Sequence, residues 1–160
     1  RRYEVRLVLP VASRKTIVVL DEEGAEAGRR SSPRRETAID AFRQLVGLGE
    51  LLGDSNLSVD IVLAHVEERR SPSPRRKGFV VAERRMVEVL GCVSLHHPGD
   101  YLGVLPVGLE DGFSTADLAR AMRQPRWMAQ KIAYVLRTIG VLEIAGKSGN
   151  ALLYRRDRAP

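Results

Sequence analysis

The acidic groups Asp21-Glu22-Glu23, Asp60 and Glu67-Glu68 are the residues best suited by type to metal-assisted chemistry. Carboxylates gathered at neighbouring strand ends can hold Mg²⁺ or Mn²⁺ and activate water for hydrolysis. Glu67-Glu68 is followed at once by Arg69-Arg70, which imitates a carboxylate-then-cation signature but equally suits an exposed strand end with salt-paired neighbours. The structural use is preferred, with Asp21, Asp60 and Glu67 as the set a hydrolase would need. His96-His97 makes a poor metal site, because adjacent strand residues point to opposite sides and no Cys or third His stands at a recognised spacing. Gly146-Lys147-Ser148 ends like a phosphate-binding loop, but Val141 occupies the place of the first glycine and a strand is expected to follow. Ser31 and Ser32 lack a local base, which leaves RRSSPRR (29–35) as an anion-facing loop or a solvated turn. No catalytic residue and no cofactor or metal is assigned within this chain.

The cations give a sharper signal. Residues 114–160 hold nine Lys or Arg against three Asp or Glu, whereas residues 1–113 hold seventeen of each, so the net charge of +6 belongs to the C-terminal part. A basic excess confined to one module points to a polyanion partner. The single cysteine, Cys92, excludes an intrachain disulfide, and no apolar run approaches the roughly 20 residues of a membrane span, so a cytoplasmic protein without membrane contact is expected. The chain opens Arg1-Arg2-Tyr3 without a Met and enters a strand pattern at once, as would a chain truncated at its N-terminus or one from which a Met-containing tag or leader has been removed.

The elements that must position these groups follow from apolar spacing. Val5, Leu7, Leu9 and Val11 alternate as a strand, Thr16–Leu20 reads as a second, and Asp21-Glu22-Glu23-Gly24 supplies a turn to a returning strand. Ile39, Phe42, Leu45 and Val46 share one face of a helix over 36–48 that should cover a sheet. Residues 57–66 read as a buried strand, with 67–70 leaving into solvent. SPSPRRK (71–77) reads as a mobile loop, 86–95 as a strand rich in valine, and Pro98 as the opening of a short helix reaching Leu105.

In the C-terminal part, Ser114 or Thr115 can cap a helix carrying Leu118, Ala119 and Met122. After a turn at Arg123-Gln124, Pro125 suits the start of a second helix whose Met128, Ile132, Val135 and Ile139 form a buried face and which Gly140 ends. Its other side offers Arg126, Gln130 and Arg137, flanked by Lys131 and Tyr134. Strands at 141–145 and 151–154, joined by a glycine-rich loop at 146–150 with Lys147 at its tip, complete the order of a winged helix-turn-helix. Cations of such a module contact phosphates while an amide can read a base edge. The expected nucleic-acid-binding residues are Arg123, Arg126, Gln130, Lys131, Arg137, Lys147, Arg155 and Arg156, with Arg158 as a further backbone contact. The competing view is a protein-interaction adaptor or dimerisation module, signalled by an apolar patch around Trp127 and Tyr134.

GRRSSPRR (28–35), VEERR (66–70), FSTADLARAM, MAQKIAYVLR and GKSGNALLYRR together resemble an uncharacterised bacterial family over nearly the whole chain. The resemblance implies an N-terminal nuclease-like domain with a PD-(D/E)xK-type acidic motif ahead of a C-terminal winged helix. That motif would lie before Arg1, so the chain resembles the C-terminal two-thirds and inherits no catalytic residue; Mg²⁺ would belong to the full-length protein. The expectation is therefore an α+β chain, with a partial mixed sheet and covering helix over 1–82 and a winged-helix domain over 83–160. By itself it should bind duplex DNA without cutting it, and a homodimer is left open.

Overall fold

Strand-forming residues dominate the first half of the chain, and the extended conformation that begins at Val5 runs unbroken to Leu20. The computed structural model describes residues 3–73, 75 and 77–157. In chain order the elements are β1 (Val5–Leu20), β2 (Glu26–Ser31), α1 (Phe42–Leu45) between 3-10 turns at Ala38–Ala41 and Val46–Gly53, β3 (Leu57–Pro72), and β4 (Phe79–Leu95). A 3-10 helix (Pro98–Val104), β5 (Phe113–Ser114), α2 (Thr115–Met122), α3 (Arg126–Thr138), β6 (Leu142–Ser148) and β7 (Ala151–Arg156) follow. The class is α+β, with more strand than helix.

Four strands form one sheet in the order β2-β1-β3-β4, and three form a second in the order β5-β7-β6. β1 and β2 are antiparallel, from Thr16 opposite Ser31 to Leu20 opposite Glu26. Their turn is held by the Asp21 carboxylate, which accepts from the Ala25 N–H at 2.7 Å, and by Gly24 at φ +82°. Arg6 bonds Asp60 and Thr16 bonds His65, so β1 and β3 run in the same direction. Ser94 bonds Asp60 and Arg84 bonds Glu68, so β3 and β4 run oppositely. The large sheet is thus mixed, as expected. Pro10, which has no N–H to give, lies outside the stretch of β1 paired with β2.

The described chain gathers into two interleaved compact units. One comprises Val8–Asp40 and Ile61–Val93, and the other residues 3–7, 41–60 and 94–157. The boundary expected at 82/83 falls inside β4. The first unit buries Val11, Ile17, Val18, Leu20, Ile61 and Ala64. In the second, α1 and the 3-10 turn after it pack on α3, and Phe42 meets Tyr101 edge to face at 6.5 Å between ring centroids.

Several expected elements are corrected. The two strands read at 5–11 and 16–20 are one strand, because polar partners accommodate the intervening Ser13-Arg14-Lys15: the Glu36 carboxylate accepts from the Ala12 N–H at 3.0 Å, and the Ser13 hydroxyl donates to the Glu36 carbonyl at 2.9 Å. The helix expected over 36–48 has a single α-helical turn, since Gly47 and Gly49 follow it and Gly49 takes φ +52°, ψ −130°. Phe42 and Leu45 are nonetheless buried as their spacing required. Glu67 and Glu68 do not leave into solvent; they continue β3 and are buried. Of the 71–77 segment, Ser71 and Pro72 end β3, while Pro74 and Arg76 lie outside the described residues.

Candidate nucleic-acid interface

Ser114 is the cap of α2. Its hydroxyl accepts from the Asp117 N–H at 3.2 Å, and Asp117 in return accepts from the Ser114 N–H at 3.0 Å and hydroxyl at 2.6 Å. These bonds, the hydroxyl first and then the backbone N–H, hold the Asp117 carboxyl below the usual carboxylate range. The helix ends at Arg123 in the left-handed conformation, φ +51°, ψ +40°, a position that favours glycine. Gln124 and Pro125 complete the turn, Pro125 standing one place before α3 rather than as its first residue.

α3 divides cleanly. Met128, Ala129, Ile132, Ala133, Val135 and Leu136 are buried, as is Ile139 beyond its end, so all four residues of the expected apolar face lie in the core. Arg126, Trp127, Gln130, Tyr134 and Arg137 are exposed and Lys131 is half-buried. At about 100° per residue, Arg126, Gln130 and Arg137 fall within roughly 40° of one another. Trp127 and Tyr134 flank that row and are 47% and 45% exposed, so the cationic row and the aromatic pair share one surface.

The hairpin differs from expectation in one useful way. β6 extends to Ser148, which pairs with Ala151, and the connection is only Gly149-Asn150, with Gly149 at φ +57°. Lys147 therefore lies within β6 opposite Leu152 and not at the tip; it is exposed. An irregularity between Ile144 and Gly146 accommodates Ala145 and brings Glu143 opposite Arg155. β5, which sequence reading missed, adds a third strand by pairing Phe113 with Tyr154; a two-residue strand leaves no periodic signal.

The expected binding residues thus fall into two groups. Among the described residues, Arg123, Arg126, Lys131, Arg137 and Lys147 have no carboxylate within ion-pair distance. Arg155 is paired with Glu143, which holds its guanidinium above its ordinary pKa. Arg156 reaches Asp111 at 2.9 Å, and its N–H donates to the same carboxylate at 3.1 Å. Arg158 lies outside the described residues.

The acids of the alternative hydrolase are occupied separately. Asp21 holds its turn; Asp60 accepts from Ser94 at 2.6 Å and from Arg6, which keep its carboxyl below the usual range; Glu67 accepts from Arg29 at 2.8 Å and Arg85 at 3.1 Å. Among the described residues, no group of three or more His, Cys, Asp or Glu is placed to hold a metal ion. The His96 and His97 N–H groups both donate to Asp100, at 2.7 and 2.8 Å, where they lead into the 3-10 helix. Ser32 accepts from the Arg34 N–H at 3.3 Å within its turn. No helix among the described residues is long and apolar enough to cross a membrane.

Residues 1–96 match the family described as Domain of unknown function (DUF8091), and the chain belongs to that family. An uncharacterised protein of Treponema pallidum (strain Nichols) is 28% identical over 163 residues, a match covering 97% of this chain and 62% of the relative. The chain therefore spans less than two thirds of that relative's length. No solved structure matches.

Proposed function

We propose that residues 113–156 form a winged helix that binds duplex DNA, with α3 as the helix entering the major groove and the β6–β7 hairpin as the wing. The observation that carries this is the sorting of cations. Arg126, Lys131 and Arg137 on α3, Arg123 in the turn before it and Lys147 on the hairpin lack carboxylate partners among the described residues, whereas Arg155 and Arg156 are neutralised locally. Unpaired cations beside an exposed amide, Gln130, supply the two parts of duplex recognition: charges that position the module on phosphates and a donor–acceptor pair for an adenine edge. Arg155 and Arg156 drop to secondary contacts. The nuclease-like part of the reading rests on the family resemblance alone, and any metal chemistry belongs to a longer protein.

The test is duplex binding against salt. Arg126→Ala combined with Arg137→Ala should weaken binding at low salt and lower the slope of log affinity against log salt by about 2, roughly 0.9 for each phosphate that a cation no longer neutralises. An affinity insensitive to salt and to this double substitution overturns the proposal. It would favour the second reading, a protein-docking face, which is supported by the exposure of Trp127 and Tyr134 on the same surface. Trp127→Ala should then remove a partner's binding while the arginine substitutions leave it intact.

A further inference from the structure

β4 is an edge strand of 17 residues with an unusual surface. It ends the β2-β1-β3-β4 sheet, and its residues from Phe79 to Leu90 are all exposed. Val81, Val87, Val89 and Val93 alternate on one side of the strand, while Val80, Met86 and Leu90 take the other; their exposures run from 37% to 57%. Proteins blunt such edges by shortening them, bulging them or charging them, because an open apolar edge recruits another strand. Here the only charges are Glu83, Arg84, Arg85 and Glu88.

We propose that β4 pairs antiparallel with β4 of a second copy, about a twofold axis at Met86, joining two four-stranded sheets into one of eight. The charges select this register. A twofold perpendicular to a sheet keeps each side chain on its own face, so the axis must pass through a residue that opposes itself. Centring on Glu83, Arg84, Arg85 or Glu88 sets a charge against its own copy, which is destabilising. Centring on Val87 leaves every charge opposite an uncharged residue. Centring on Met86 puts Arg84 opposite Glu88 of the second copy, and Glu88 opposite Arg84 of the second copy, with no like charges directly opposed. The same register sets Ala82 against Leu90 and Phe79 against Val93.

The groups are available for these pairs. Arg84 engages Glu68 through Nε while its side chain stays 63% exposed, so its terminal nitrogens can reach outward. Among the described residues Glu88 meets one loose partner, Arg14 at 3.7 Å, and is 56% exposed. Backbone hydrogen bonds along the strand would supply affinity, and the two charge pairs would fix register.

The experiment is the oligomeric state of the 160-residue chain by sedimentation, with substitutions that leave the far-UV circular dichroism unchanged. The chain should be a dimer in the micromolar range. Glu88→Arg should raise the dissociation constant at least tenfold, and Glu88→Gln should raise it less, because the amide removes the pair without setting a like charge opposite Arg84. In a Cys92→Ser background, Met86→Cys should form an intermolecular disulfide on mild oxidation and Val89→Cys should not. A monomer at all concentrations, a dimer indifferent to Glu88→Arg, or equal crosslinking at positions 86 and 89 overturns the proposal.

Discussion

Glu68→Gln should cost more stability than any other single charge removal in the β1–β4 sheet. The Glu68 side chain is 1% exposed and faces three cations: Arg70 Nε at 2.8 Å, Arg84 Nε at 2.9 Å and Lys15 Nζ at 3.6 Å. Burial pushes its carboxyl up, but hydrogen bonds from Arg70 and Arg84 and the charge of Lys15 outweigh burial, and the net shift is downward. The amide isostere keeps the shape and deletes the charge, leaving three cations with nothing to neutralise them. A hydrogen bond to a charged group contributes about 1.5–3 kcal/mol, and removing one partner of a buried pair costs about 3–5 kcal/mol. Arg84 is 63% exposed and can return to water, so its share is discounted, whereas Lys15 at 21% and Arg70 at 32% are less free to do so. The expected loss is about 3 kcal/mol, or roughly 6–12 °C in melting temperature for a chain of this size. Glu83→Gln is the control, because Glu83 is 52% exposed and sits 3.6 Å from Arg69, a pair worth about 0–1 kcal/mol. Urea denaturation followed by far-UV circular dichroism measures both. Equal losses in the two variants would refute the argument that burial makes Glu68 the hub of this network.

Acid should act through the same groups: Glu68 and Asp117 have carboxyls held below 4.5 and 3.8, so they contribute stability above those values and lose it as pH falls through their folded-state pKa. Melting temperature should be flat from pH 7 to about 5 and decline below about 4.5, with a shallower decline in Glu68→Gln. Arg123→Gly should separate stability from binding, since it removes both a left-handed non-glycine residue and an unpaired cation. Its melting temperature should rise by an amount corresponding to about 0.5–1 kcal/mol, the relief of left-handed strain less the added freedom of the unfolded chain, while the salt slope of duplex binding falls by about 1.

Much of the C-terminal part was legible because its signals are local. Four apolar residues at helical spacing found the buried face of α3, and the hydroxyls of Ser114 and Thr115 marked the start of α2, of which Ser114 is the cap. The hairpin was legible in kind but not in register. Taking 146–150 as one loop hid the two-residue turn at Gly149-Asn150, and with it the placement of Glu143 opposite Arg155. The partner of Arg156 lies 45 residues away at Asp111, beyond any spacing rule. The same holds for Glu67 and Glu68. Their flanking arginines suggested a solvated strand end, but the groups that allow their burial come also from Lys15, Arg29, Arg84 and Arg85 on other strands. Periodicity sees one element at a time, and charge burial is decided between elements.

That distinction changes what the composition means. Seventeen cations against seventeen acids before residue 114 look like a neutral background; among the described residues Lys15, Arg29, Arg69, Arg84 and Arg85 are paired across strands, whereas the exposed Arg30, Arg35, Arg75 and Lys77 have no carboxylate within ion-pair distance. In the C-terminal part, Arg120, Arg155 and Arg156 are likewise engaged by Asp117, Glu143 and Asp111. The remaining described cations there are Arg123, Arg126, Lys131, Arg137 and Lys147, all on the turn, α3 and the hairpin. Of the nine that a count supplies, these five are the described ones without a carboxylate partner, and Arg158 lies outside the described residues. On the proposed reading, at roughly 0.9 per neutralised phosphate these five would contribute about 4.5 to the salt slope of duplex binding, Arg126 with Arg137 about 2 of it. On the proposed reading, position more than net charge directs a polyanion to this surface, because a cation that shares its charge with a carboxylate gains less from a phosphate than one without such a partner.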